Sequence, residues 1–191
     1  TWQARIHAMW TLDGMGMLPP EVVTAGIKDK EAKVRATAVQ VAGRTQLSEL
    51  APLKRDGDVL VQSALAAQWS AYPETQDLLV EISRLAGGNA LVREAVVSGL
   101  RGRELEVLKA GLVAPAGSKP FSEALLDMLT RAVHKERQKE RISALLDSVD
   151  SLPASSPERK AVLAGFVPKS SGKSPVPPRL IYLEKEPAVL S

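Results

Sequence analysis

Apolar and polar positions recur along the first hundred residues in one arrangement, written four times: Ala4-Arg5-Ile6-His7-Ala8, Val34-Arg35-Ala36-Thr37-Ala38, Val61-Gln62-Ser63-Ala64-Leu65 and Val92-Arg93-Glu94-Ala95-Val96. In each copy the first and fifth positions are apolar, and the ninth, which is Leu12, Ala42, Trp69 or Leu100, is apolar as well. A helix of about 3.6 residues per turn puts positions spaced by four on one stripe, so each copy is an amphipathic helix that must face a partner. The copies begin at residues 4, 34, 61 and 92, a period of about 30 that leaves room for a second helix in each.

Those second helices are predicted at Pro20 to Ile27, Leu47 to Leu53 and Thr75 to Leu85, each before a repeated helix. Pro20 suits a first helical turn, where its missing N–H costs nothing. Asp29, Asp58 and Asn89 suit N-caps, and Asp56-Gly57-Asp58 and Gly87-Gly88-Asn89 read as turns. A helical hairpin of this length cannot bury its apolar face alone, so the hairpins are expected to stack as an α-solenoid over residues 1–103, with Trp69 in the core.

The second half carries further helices over 104–166. One amphipathic stretch runs from Leu105 to Leu112, and Ala114 to Pro120 is a break. Ser122 caps a periodic run from Glu123 to Val149, which is one long helix or two meeting at the polar middle, His134 to Arg141. Ser156-Pro157-Glu158 opens a helix through about Phe166. Residues 167–191 read as a linker rich in Pro, Ser and Lys, extended over Pro168 to Pro178, then Arg179 to Leu183 as a short strand or docking segment.

Composition agrees with an all-α chain: 45% of the 191 residues are hydrophobic but only 4% aromatic, which is low for sheets. With 25 basic against 22 acidic residues the net charge is +3, too small an excess to argue for nucleic acid. No apolar run reaches the roughly 20 residues of a membrane span. The absence of cysteine excludes disulfides, thiolate chemistry, zinc fingers and covalent haem attachment within these residues. Only His7 and His134 remain for imidazole chemistry. His7 has no second ligand at i+3 or i+4 and is read as a structural residue near the inter-helix contact, and His134, with acids at Glu136 and Glu140, gives only a weak metal signal and is read as part of a solvated face. Gly14-Met15-Gly16, with no strand before it, is a helix end and not a phosphate loop.

A hairpin of this length with Asp before the second helix and Val-Arg at its start resembles the HEAT repeat, best seen in Asp29 with Val34-Arg35-Ala36-Thr37-Ala38. The stretch Ala4 to Gly16 further resembles the HEAT section of large exported bacterial proteins of the membrane-bound dehydrogenase or haem-binding CxxCH type. That resemblance implies an N-terminal propeller, a C-terminal cytochrome c domain with haem c in the parent protein, and a periplasmic or exported location. It implies no cofactor and no catalytic residue in this chain.

The expected function is therefore a non-catalytic scaffold or spacer whose partners are proteins or neighbouring domains. The alternative is a generic protein-interaction scaffold, and a remote one is a DNA-binding HEAT-like glycosylase. Candidate partner contacts are Trp10, Trp2 and the basic run Arg131, Lys135, Arg137, Lys139 and Arg141. Since the chain starts inside what looks like the second helix of a hairpin, Trp2, His7 and Trp10 are expected at an exposed end. There Trp10 is either an anchor for a partner or packs on a preceding repeat.

Overall fold

The structure is a computed structural model that describes residues 1–167, 181–183 and 187–190. Among these residues every regular element is helical, with ten α-helices and no strand. The chain divides into two compact units, Thr1–Arg101 and Gly102–Ser191. At the division Arg101 (φ 49°) and Gly102 (φ 94°) both take left-handed backbone, the second at little cost because glycine has no Cβ to clash.

In the first unit α1 (Trp2–Gly14), α3 (Ala32–Val41), α4 (Val59–Ser70) and α6 (Ala90–Gly99) are the four repeated helices. They pack in chain order, α1 on α3, α3 on α4 and α4 on α6. A second set of elements lies against them: α2 (Pro20–Gly26) on α3, a 3₁₀ helix (Arg44–Arg55) on α4, and α5 (Gln76–Ala86) on α4 and α6. All nine stripe residues of the last three copies, Val34, Ala38, Ala42, Val61, Leu65, Trp69, Val92, Val96 and Leu100, are buried.

The arm expected as an α-helix over Leu47 to Leu53 is 3₁₀ instead. Its leucines stand three apart, at 47, 50 and 53, and a 3₁₀ helix of three residues per turn stacks them on one face, where all three are buried. Pro52, inside the run, lacks the N–H that an α-helix interior would use.

Side-chain oxygens of Asp58 and Asn89 accept the N–H of Leu60 and Leu91, so both cap their helices as expected. Asp29 does not cap α3. It accepts the Glu31 N–H from within the turn, and Glu31 is the residue at the helix boundary.

In the last three copies the residue after the stripe start has a common task that the sequence pattern alone does not explain. Arg35 donates from Nη1 to the carbonyls of Asp29 and Lys30, Gln62 to that of Asp56, and Arg93 to those of Gly87 and Gly88. Each reaches back five or six residues and clamps the turn that leads into its own helix. Gln62, a departure from the repeated arginine, keeps this hydrogen bond.

Arg35 also holds Asp56 of the next turn bidentately, Nε to Oδ2 at 2.7 Å and Nη2 to Oδ1 at 2.9 Å. The guanidinium holds the Asp56 carboxyl below the usual carboxylate range against the opposing effect of burial, with the Asp58 N–H assisting. A depressed carboxyl contributes stability that is present above its ordinary value and lost as pH falls through the lowered one. Arg35→Met should therefore cost about 2 kcal/mol at neutral pH, from the charged hydrogen bonds it removes. Urea unfolding at descending pH should find the gap between variant and parent closing below the ordinary carboxylate range.

The second unit comprises α7 (Glu104–Leu112), α8 (Glu123–Glu136), α9 (Lys139–Asp150) and α10 (Pro157–Phe166). α8 packs against α7 and α10 and buries Leu125, Leu126, Leu129 and Val133. The polar middle separates two helices, since Arg137 at the end of α8 turns left-handed at φ 58°. Ser122 and Ser156 accept the N–H groups of Leu125 and Arg159, capping α8 and α10. The linker expected over Pro168 to Pro178 lies outside the described residues, as do Arg179 and Leu180. Ile181–Leu183 form no regular element, and a 3₁₀ turn, Ala188–Leu190, packs on α9. No helix among the described residues is long and apolar enough to cross a membrane.

Candidate docking face on the first helix

α1 departs from the other repeated helices in what it leaves open. The stripe positions enclosed in α3, α4 and α6 correspond here to Ala4, Ala8 and Leu12, of which both alanines are exposed and Leu12 is half-buried. Met9, one position round the helix, is buried. Beside the stripe a groove of about 340 Å³ runs between α1 and α2, lined by Arg5, Ala8, Met9, Glu21, Val22 and Ala25.

Arg5 stands over this groove. It pairs with Asp29 as Arg35 does with Asp56, Nε to Oδ2 at 2.7 Å and Nη2 to Oδ1 at 3.0 Å. Asp29 is held below the usual carboxylate range, first by the Glu31 N–H and then by Arg5, against partial burial. Among the described residues Arg5 Nη1 has no acceptor, although the same nitrogen of Arg35 and Arg93 takes turn carbonyls.

Of the aromatic candidates, Trp10 is 45% exposed. It occupies the position of Gln40, Ala67 and Ser98, all of them exposed, so this is the outward position of every copy. A residue six places from the stripe start lies well round the helix from Ala4 and Ala8. Trp2 is half-buried, with the Lys33 ammonium 4.7 Å from its ring centroid, a cation–π contact to the first turn of α3. His7 is exposed and not at an inter-helix contact, because α1 turns that side to solvent. Trp69, the aromatic a glycosylase reading would need on a surface, is fully enclosed.

Of the basic run, Arg131, Lys135 and Arg137 line one surface pocket of about 300 Å³ with His134, Gly165 and Phe166, and Lys139 and Arg141 are not among its lining residues. Arg131 grips Asp127 with Nε and Nη2 and donates to the carbonyls of Val167 and Ala164, which fastens the end of α10 to α8. Arg141 bonds the Gly102 carbonyl and Glu106 and pairs with Glu136 at 2.7 Å. Both arginines therefore tie helices together within their unit. Lys139 lies 4.0 Å from Glu140, while Lys135, in the last turn of α8, and Arg137, at the break after it, are exposed. His134 packs edge-on against Phe166, ring centroids 5.5 Å apart, and is half-buried rather than part of an open face.

Where α7, α8 and α9 meet, Glu136 lies close to Glu104 and pairs with Arg141. Burial pushes the Glu136 carboxyl above its ordinary value, opposed by Arg141 and reinforced by Glu104. A raised carboxyl contributes stability that is complete below its ordinary value and lost as pH rises through the raised one. Glu104→Gln should bring Glu136 back toward the usual range and flatten the loss of stability between mildly acidic and neutral pH. Carboxyl ¹³C titration and urea unfolding at the two pH extremes check both expectations.

Among the described residues no group of three or more His, Asp or Glu is placed to hold a metal. The residues present do not fit a c-type haem either, because the chain has no cysteine for the thioether bonds. Sequence reasoning missed Ala4, Ala8 and Arg5 as the open part of the first unit. A signal was available in the repeat alignment, where only the first copy has alanine at both of its first two stripe positions. Compared with protein-family models, curated proteins and solved structures, the chain matches none.

Proposed function

We propose that residues 1–103 are a HEAT-like α-solenoid and that the chain serves as a non-catalytic docking scaffold or spacer. The observation that carries this reading is the burial of the stripe in three successive copies, under a preceding arm and against the neighbouring repeated helices. Stacked hairpins build a continuous core in this way. The charged side chains lend support, since Arg35, Arg131 and Arg141 hold turns and helices together. Stacking leaves long helical surfaces open to partners.

A narrower form of the proposal makes the chain the spacer of a large exported redox protein, located in the periplasm or outside the cell, with haem c carried elsewhere in that protein. It rests on the resemblance of Ala4 to Gly16 alone. A CxxCH motif downstream in the parent gene would support it, and another domain order would remove it. The apolar groove beside α1 favours the broader reading, a protein-interaction scaffold, in that event.

The test of the non-catalytic reading is to titrate the purified chain with haem, follow the Soret band, and assay dye reduction with sugars and alcohols. The expected result is neither saturable haem binding nor turnover. Stoichiometric haem binding lost in His7→Ala or His134→Ala, or turnover of any such substrate, would overturn it.

A further inference from the structure

We propose that the stripe Ala4, Ala8 and Leu12 of α1, with Val22 and Ala25 of α2, is the docking groove for an amphipathic helix of a partner protein, whose closing turn offers two carbonyls to Arg5. The inference rests on the docking-scaffold reading above and names the chemistry of its partner.

The protein itself displays what covers this surface, three times over. The stripe of α3 is preceded by α2 with buried Val23 and Ile27. That of α4 is preceded by the 3₁₀ helix with Leu47, Leu50 and Leu53, and that of α6 by α5 with Leu79, Ile82 and Ala86. In these copies every stripe residue is at most 5% exposed. The occupant of the first groove therefore presents aliphatic side chains three or four positions apart on one face.

Its end is specified by the clamp. Arg35, Gln62 and Arg93 each receive carbonyls from the turn joining the covering element to the repeated helix. Arg5 has the same place in its copy and the same bidentate acid, and its Nη1 meets no acceptor among the described residues. Two turn carbonyls, such as those a Gly-Gly turn presents to Arg93, complete its hydrogen bonding.

Charge specifies the edge. Between successive covering elements the acid comes from the later side: Glu49 of the 3₁₀ helix accepts from Thr24, Glu74 in the turn before α5 pairs with Arg44, and Glu81 of α5 pairs with Lys54 at 2.7 Å. In this series α2 presents Glu21, exposed on the rim of the groove. The partner helix carries Lys or Arg on the side that meets it.

A helix-stapled, fluorescein-labelled peptide of residues 73–89 supplies such a stripe and turn, and can be titrated into the full chain by fluorescence anisotropy. Saturable one-to-one binding is expected, weakened at least tenfold by Ala8→Arg and by Leu79→Asp in the peptide. Ala8 is exposed, so Ala8→Arg should leave the thermal unfolding curve of the chain unchanged. Absence of saturable binding would overturn the proposal. So would binding indifferent to Ala8→Arg, which would mean that the peptide replaces α5 in its own place. Sedimentation adds a third arm, because a dimer dissolved by Ala8→Arg would assign the groove to a second copy of this chain. Haem binding or turnover, the failure of the scaffold reading, is measured separately and leaves these outcomes distinct.

Discussion

Trp69→Ala is expected to lower the stability of the first unit by about 3–5 kcal/mol, the cost of deleting a large core aromatic and leaving a cavity. Trp69 has no exposed surface and is the largest fully buried side chain of the protein. Its indole N–H donates to the Leu47 carbonyl at 3.3 Å, joining α4 to the 3₁₀ helix. Its own carbonyl accepts from Thr75 Oγ1 at 2.7 Å, which holds the turn into α5. Because α4 packs on α3, α5, α6 and the 3₁₀ helix, a cavity here removes contacts from several neighbours at once. Trp69→Phe keeps most of the apolar surface but loses the indole hydrogen bond to the Leu47 carbonyl, and should cost about 1–2 kcal/mol. Urea unfolding followed by far-UV circular dichroism measures both. A loss below about 1 kcal/mol for the alanine variant would contradict this placement of Trp69.

The second large effect is expected at Gly99, where α6 meets α4. A Cβ built there would lie 2.7 Å from the Cβ of Ser70 and closer still to its hydroxyl, with the Ser70 backbone carbon at 3.2 Å. Ser70 cannot readily turn away, because its single hydroxyl proton is shared between the carbonyls of Ala67 at 2.9 Å and Ala95 at 3.2 Å and the residue is fully buried. On helix propensity alone Gly99→Ala would gain about 1 kcal/mol. The contact reverses that sign, and Gly99→Val should lose about 3 kcal/mol, the upper part of the range for overpacking. Combining Gly99→Ala with Ser70→Gly removes the clashing atoms, so the double variant should be more stable than the sum of the two single changes predicts. Simple additivity would show that the helices separate freely at this crossing.

How far the sequence can be read depends on whether a feature is periodic. The buried stripes, the caps Asp58, Asn89, Ser122 and Ser156, and the break before Phe121 each follow from a local pattern that backbone geometry turns directly into structure. The 3₁₀ arm was half legible: Leu47, Leu50 and Leu53 stand three apart, but a short run of that spacing also suits an α-helix. Only Pro52 and the packing against α4 separate the two. The candidate site was least legible, because tryptophan attracts attention by size whereas the open groove is marked by two alanines.

By itself the sequence determined that the chain is all-helical, that its first hundred residues repeat about every thirty, and which nine apolar residues its stripes bury. Those properties depend on the order of residues within a turn or two of helix. The tertiary structure decided the uses of polar groups, which depend on residues twenty or more positions apart. It bound Arg35 to Asp56, tied Arg141 to Glu106, and set Glu136 in an environment that raises its carboxyl. The open stripe stands between the two: the sequence shows a preceding arm for three copies and alanine at two stripe positions of the first, and the packing shows those alanines meeting solvent.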